Sequence, residues 1–214
     1  MLEIWGRRTS SNVQALMWCV SELKLEFVRH DAGHVYGLTD TQAFGELNPN
    51  RTVPVLRDDD GPAIWETSAI LRYLAGRFAP NEFWPDDAGE RAQVDKWAEW
   101  AKINVAMAFT GPIFWRVVRI PEADRNPTAI AEALDDLHDK FAIAERQIAI
   151  TGWLAGSHFT LADIQFGHIL YRYFNIEINR PDWPILQRYF DQLMERDQYR
   201  EHVAISYDKL RGSL

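Results

Sequence analysis

One cysteine, Cys19, is the only thiol in this 214-residue chain. A lone thiol excludes an internal disulfide, a CxxC redox pair and a thiolate zinc site. Cys19 falls mid-helix beside Trp18 and reads as a packed, inert group. No apolar run approaches the roughly 20 residues that span a bilayer. Basic charge is scarce: 23 Lys and Arg stand against 31 Asp and Glu, for a net charge of −8. That balance sets nucleic acid and anionic membrane aside as partners. The opening Met1-Leu-Glu-Ile lacks the basic lead and apolar stretch of an export signal, so a cytoplasmic location is expected. Internal repeats and low-complexity tracts are absent, and no metal is expected.

What is present is apolar and aromatic. Hydrophobic residues make up 47% of the chain and nine are Trp, enough for one compact unit or two small domains. Leu2 to Trp5 reads as a short buried strand. Val13, Leu16, Met17 and Val20 then follow the i, i+3, i+4, i+7 spacing of one helix face. Leu25 to His30 is strand-like, Asp31 to Leu38 a loop, and Thr39 to Leu47 a weak short helix. "TVPVLRDDDGPAIWE" is a hairpin turning at Asp59, Asp60 and Gly61. Thr67 to Phe78 is a helix with Ile70, Leu71 and Leu74 on one side. The order is βαβ-αββα.

Pro80, Asn81, Pro85, Asp86 and Asp87 then break the pattern. The chain therefore divides into residues 1–78, a linker at 79–88, and residues 89–214, where only helical spacing is found. Arg91 to Thr110 is a long helix that Gly111-Pro112 should end or kink. Asn126-Pro127 is a cap followed by proline at the first helical position. Ile130, Leu134, Leu137, Phe141 and Ile148 continue that helix inward. Thr160-Leu-Ala-Asp163 is an acidic capping box, with Phe159 and Ile164 placed for a hydrophobic staple. Asp182 starts a last helix with Leu186, Phe190 and Leu193 facing in.

Three junctions could carry chemistry. Thr9, Ser10, Ser11 and Asn12 lie after a strand and at a helix start, where unpaired N–H groups and the helix dipole favour an anion. One of the four suffices as the cap. A surplus hydroxyl could instead donate to a bound thiolate, and the pattern leaves both roles open. In "NPNRTVPVL", Pro54 is either a trans proline at a strand edge, the commoner case, or a cis proline that turns Val53 outward to pair with an extended peptide. In "WETSAILRYL", Glu66 is either a solvated first-turn acid or an acceptor for an amine. The N–H groups at Thr67 and Ser68 could hold a carboxylate beside it.

Taken in this order and spacing, the Ser10-Ser-Asn-Val13 turn, Val53-Pro54 with Glu66-Thr67, and Thr160-Leu-Ala-Asp163 resemble the cytosolic glutathione transferases over the whole chain. The likeness is to bacterial members near the serine-type theta, delta and phi classes. It implies a thioredoxin-like α/β N-terminal domain, an all-α helical-bundle C-terminal domain and a homodimer. It implies glutathione as co-substrate, conjugated through its thiolate to a small hydrophobic electrophile. Ser10 would be the activating serine, with Ser11 its neighbouring candidate and Asn12 assisting. A cis Pro54 would let the Val53 backbone pair with the cysteinyl part. Glu66 and Thr67 would bind the γ-glutamyl end, Thr67 departing from the family's usual serine. Arg51 would meet the glycine carboxylate. Phe109, Phe114, Trp115, Tyr171 and Phe174 are the aromatic candidates for the electrophile pocket, with His34 and Tyr36 at its border. A glutathione-dependent disulfide reductase, relying more on Asn12, and a non-catalytic glutathione-binding module are the alternatives.

Overall fold

The computed structural model describes residues 1–213. Four strands, β1 (Leu2–Trp5), β2 (Phe27–His30), β3 (Val55–Asp58) and β4 (Ile64–Trp65), form one sheet in the order β2-β1-β3-β4. β1 runs parallel to β2 and antiparallel to β3, and β4 closes the hairpin antiparallel to β3. The parallel pair needs a crossover, which α1 (Ser11–Glu22) supplies. Strand alternation sorts the two faces. Leu2, Ile4 and Leu56 point to the face covered by α1 and α3 (Thr67–Phe78). Val55 and Trp5 point to the other, where Phe44 of α2 (Gln42–Leu47) packs. The β2 strand starts two residues later than the sequence pattern suggests, and α2 starts later because Thr41 caps it by accepting from the Phe44 N–H.

Every residue of α1 from Val13 to Val20 is buried, far beyond the one face its periodicity marks. The reason is a second set of helices. α4 (Ala88–Trp100) begins on the cap of Asp87, so Ala88 belongs to the helix rather than to the linker. It runs on through a π-helical stretch (Ala101–Ala106), one α turn, α5 (Met107–Phe109), and a second π-helical stretch (Thr110–Arg119). Gly111-Pro112 therefore does not end the helix. In a π turn the N–H reaches back five residues, as Met107 does to the Lys102 carbonyl, and the wider turn absorbs a proline that an α-helix would reject.

α6 (Pro127–Thr151) starts as expected, Asn126 accepting from the Ala129 N–H. α7 (Leu161–Gly167) and α8 (Leu170–Asn175) follow. α9 (Pro184–Met194) starts two residues later than its sequence suggests, and Asp182 is not its cap. Glu145 of α6 caps it instead, accepting from the Ile185 and Leu186 N–H groups at 2.9 and 2.7 Å. α10 (Asp197–His202) closes on α1. There Trp18 meets Tyr199 edge-on, and Arg196 grips Glu22 with two hydrogen bonds of 2.7 and 2.6 Å. A Cβ on Gly167 would lie 2.7 Å from Leu193 and 3.0 Å from Trp18, so α7 can approach α1 only with glycine at that position.

The Thr160–Asp163 capping box is formed, and its acid does more than cap. Asp163 is fully buried and accepts from the Leu154 and Thr160 N–H groups, the Thr160 hydroxyl and the Tyr189 hydroxyl. Burial pushes its pKa up, and these four donors pull it back. Asp163→Ala leaves buried donors unpaired and should cost about 3 kcal/mol. In a chain of this size that is roughly a 6–12 °C fall in melting temperature, measurable by calorimetry.

Candidate functional site

The turn between β1 and α1 is closed by the Ser10 N–H donating to the Arg7 carbonyl at 3.1 Å. Ser10 occupies the N-cap of α1 with extended backbone, yet its side chain makes no capping bond. No described residue hydrogen-bonds its hydroxyl, which is half-buried and available. Ser11 is buried. Asn12 is engaged: its Oδ1 accepts from Lys102 Nζ at 2.6 Å. A lysine can only donate, so this bond fixes the amide with its Nδ2 turned away from the lysine.

Lys102 was not legible as a site residue. It comes from the first π-helical stretch, 90 residues away in sequence. Burial lowers its pKa, and the fields of Glu66 and Glu99 partly restore it. A second link lies close by, Gln165 of α7 donating to the Ser68 hydroxyl at 2.8 Å. Beneath both lies His168, fully buried, with neither ring nitrogen bonded to a described residue. The helical half thus reaches into both turns that the sequence marks for chemistry.

Val53-Pro54 is cis. No described residue pairs with the Val53 N–H or C=O, so one peptide edge stands open beside Pro54. Glu66 has φ +68° and ψ 117°, a backbone conformation that non-glycine residues rarely hold. This kink exposes Glu66 and starts α3 at once, with no side chain capping it. The first N–H groups of α3 are left without partners, while Thr67 is buried behind them.

Two expectations change. Arg51 spends its Nη1 on the Thr39 and Thr41 carbonyls at 3.1 and 2.8 Å, so it fastens the loop before α2 and has only its remaining edge for a ligand. Phe109 and Phe114 are wholly buried. They pack edge-on in the helical core against Tyr173 and Tyr207 and have no surface to offer an incoming molecule. Of the aromatic candidates Trp115 is exposed and Tyr171 and Phe174 are half-buried. His34 and Tyr36 lie in a short 3-10 turn, and the His34 pKa is lowered by burial and by the fields of Arg7 and Arg119. Cys19 is fully buried, which pushes its thiol far above the ordinary range and leaves it inert.

Residues 9–77 match the family model for the glutathione S-transferase N-terminal domain, and residues 106–197 match that for the C-terminal domain. The chain belongs to the glutathione S-transferase family. It is 34% identical to glutathione S-transferase GstB of Escherichia coli over 206 residues, 96% of this chain and 99% of that one. Rat glutathione S-transferase theta-1 is 27% identical over 169 residues, 77% of this chain and 70% of that one. Among solved structures, the theta class enzyme of Xanthomonas axonopodis pv. citri with glutathione bound superposes with a TM-score of 0.90. It is 38% identical, covering 96% of this chain and 98% of that one. The thioredoxin-like sheet followed by a helical half is thus the transferase fold.

His168 gives the site region a pH signature. Burial drives its pKa from 6.5 down to about 3. The unfolded chain takes up a proton below pH 6.5 that the folded chain refuses until about pH 3. The stability this group contributes is complete above 6.5 and is lost as pH falls. The slope is about 1.4 kcal/mol per pH unit. Urea unfolding between about pH 6 and pH 4 should show this acid loss, and His168→Asn should flatten it by one proton.

Proposed function

We propose that this protein is a glutathione transferase that holds the tripeptide against Val53 and activates its thiol at Ser10. The single observation that carries the reading is the conjunction of a free Ser10 hydroxyl at a helix start with an unpaired Val53 peptide edge. The peptide edge suits the cysteinyl backbone of an extended ligand. The uncapped start of α3 suits the γ-glutamyl carboxylate, with Thr67 behind it and exposed Glu66 facing the ammonium. Arg51, through the edge not spent on carbonyls, takes the glycyl carboxylate. Residues 1–78 carry glutathione, and the helices from residue 89 carry the second substrate.

Ser10 is favoured over its neighbours because its hydroxyl has no other task. Ser11 is buried and the Asn12 oxygen is held by Lys102. A glutathione-dependent disulfide reductase is the second reading, supported by the Asn12 Nδ2 that this bond leaves free. Exposed Ile103 and Met107 on the long helix support a homodimer, since a second copy would cover them. A cytoplasmic location and a role in removing reactive electrophiles complete the proposal.

Thiol activation alone is a small effect. Lowering a thiol pKa of about 8.5 by about two units raises the thiolate fraction at pH 7 roughly 25-fold. Lower basicity takes back roughly 8-fold in nucleophilicity, leaving about 3-fold. The larger share must come from holding the electrophile at the sulfur. In conjugation of an aryl halide the C–S bond forms, halide departs with the C–X electrons, and the thiol proton passes to solvent.

Ser10→Ala should raise the pKa of bound glutathione by about one to two units, read from the thiolate's ultraviolet absorption. By the same arithmetic a rise of about two units should cut turnover of an aryl halide about 2- to 3-fold at pH 7. Glutathione affinity should stay near normal. Unchanged turnover in a folded variant would reduce Ser10 to a helix cap. Disulfide reduction without conjugation, in the unmodified enzyme, would transfer the role to Asn12.

A further inference from the structure

Three arginines gather near the Ser10 turn with no acid to meet them among the described residues. Arg172 of α8 is 3% exposed; its Nη2 donates to the Thr9 carbonyl at 2.8 Å, and its guanidinium lies 4.5 Å over the Phe114 ring. Its buried Nε has no partner among the described residues. Arg7, three residues before Ser10, likewise has a buried Nε without a partner. Arg119, at the end of the second π-helical stretch, lies over the exposed Trp115 ring at 5.1 Å and, among the described residues, donates to the Ser213 hydroxyl and carbonyl.

Arg7 stands between the other two and feels or acts on each. Burial and the field of Arg119 lower the Arg7 pKa, and burial and the field of Arg7 take that of Arg172 down to about 9. Among the described residues Tyr207 is the one group whose field favours the Arg172 charge, and no carboxylate contributes to either. Arg29, Arg57, Arg72, Arg77, Arg196, Arg200 and Arg211 each meet an Asp or Glu within 4.0 Å. Other arginines are also held without an acid, Arg51 and Arg116 on carbonyls, but among the described residues none of those has a buried nitrogen left idle as Arg7 and Arg172 have.

A buried cation with idle donors is costly until an anion reaches it. Arginine does not escape that cost by losing its proton near neutrality. Its planar fork matches a carboxylate with two parallel hydrogen bonds. We propose that Arg7, Arg119 and Arg172 form an anion subsite beside Ser10, and that the electrophile conjugated there is a small planar molecule bearing a carboxylate. This rests on the transferase reading above and replaces its wholly hydrophobic second substrate. The apolar body of the molecule lies against Trp115, and the carboxylate enters the arginine cluster. The electrophilic carbon is thereby held next to the thiolate, the positioning that pKa lowering cannot provide.

The test uses two conjugates that differ in one charge, S-(4-carboxy-2-nitrophenyl)glutathione and its neutral 4-carbamoyl counterpart. Calorimetric titration of the intact protein needs no turnover, so it stands apart from the activity assays that test the transferase reading. The carboxylate conjugate should bind at least about tenfold more tightly than the amide. Arg7→Gln should shrink that ratio to near one; being half-buried, Arg7 is replaced with less risk to the fold than Arg172, and a thermal melt checks the variant. Equal binding of the two conjugates by the unmodified protein overturns the subsite and leaves the transferase reading intact. A ratio unchanged in Arg7→Gln, with both conjugates and glutathione itself weakened alike, also overturns it, because the arginines then serve the tripeptide. Failure of both conjugates and of glutathione to bind defeats the glutathione reading, and the subsite with it.

Discussion

Helix α1 has to be two things at once: the wall between the halves and the floor of the site. Its middle is sealed by the sheet, by α7 and by α10, with Trp18 pressed against Gly167 and Tyr199. Its first turn cannot be sealed in the same way, because a helix start has N–H groups that need partners. The fold leaves that turn at a surface between the halves and spends no side chain on capping it. The rest of the site is arranged around this opening. Pro54 and the unpaired edge of Val53 lie on the sheet side, the kinked start of α3 beside them, and the helical half across the gap.

What the helical half contributes is polar as well as apolar. Lys102 reaches Asn12, Gln165 reaches Ser68, and Arg172 reaches the Thr9 carbonyl. Each bond joins a buried or half-buried group to the turn that carries a proposed ligand contact. The turns are therefore held from behind, and their free donors point where no protein atom answers them. Widening of the long helix into π turns is part of this design. It carries the helix past Pro112 and leaves Lys102 on the side facing the sheet domain.

Local chemistry was legible in the sequence, and long-range chemistry was not. The strand pattern, the Asp-Gly hairpin, the Asn126-Pro127 start and the Thr160–Asp163 box each depend on residues a few positions apart, and each forms. Ser10, Val53, Pro54, Glu66 and Thr67 could be singled out because a strand–turn–helix junction marks itself locally. Lys102 pairs across 90 residues and Arg172 across 163, and no periodicity records such a meeting. Phe109 and Phe114 misled for the same reason: an aromatic residue on a helix declares its size, and only the packing decides whether it lines a cleft or fills the core. The late start of α9 belongs here too, since its cap, Glu145, comes from another helix.

The central claim is that an extended peptide completes the Val53 edge while its sulfur sits at the start of α1. Amide hydrogen exchange at Val53, with and without saturating glutathione, addresses it most directly. Pairing of the tripeptide with that N–H should slow its exchange by at least about tenfold while amides in the centre of α1 change little. An unchanged Val53 rate in protein shown by calorimetry to be saturated with glutathione would contradict the account.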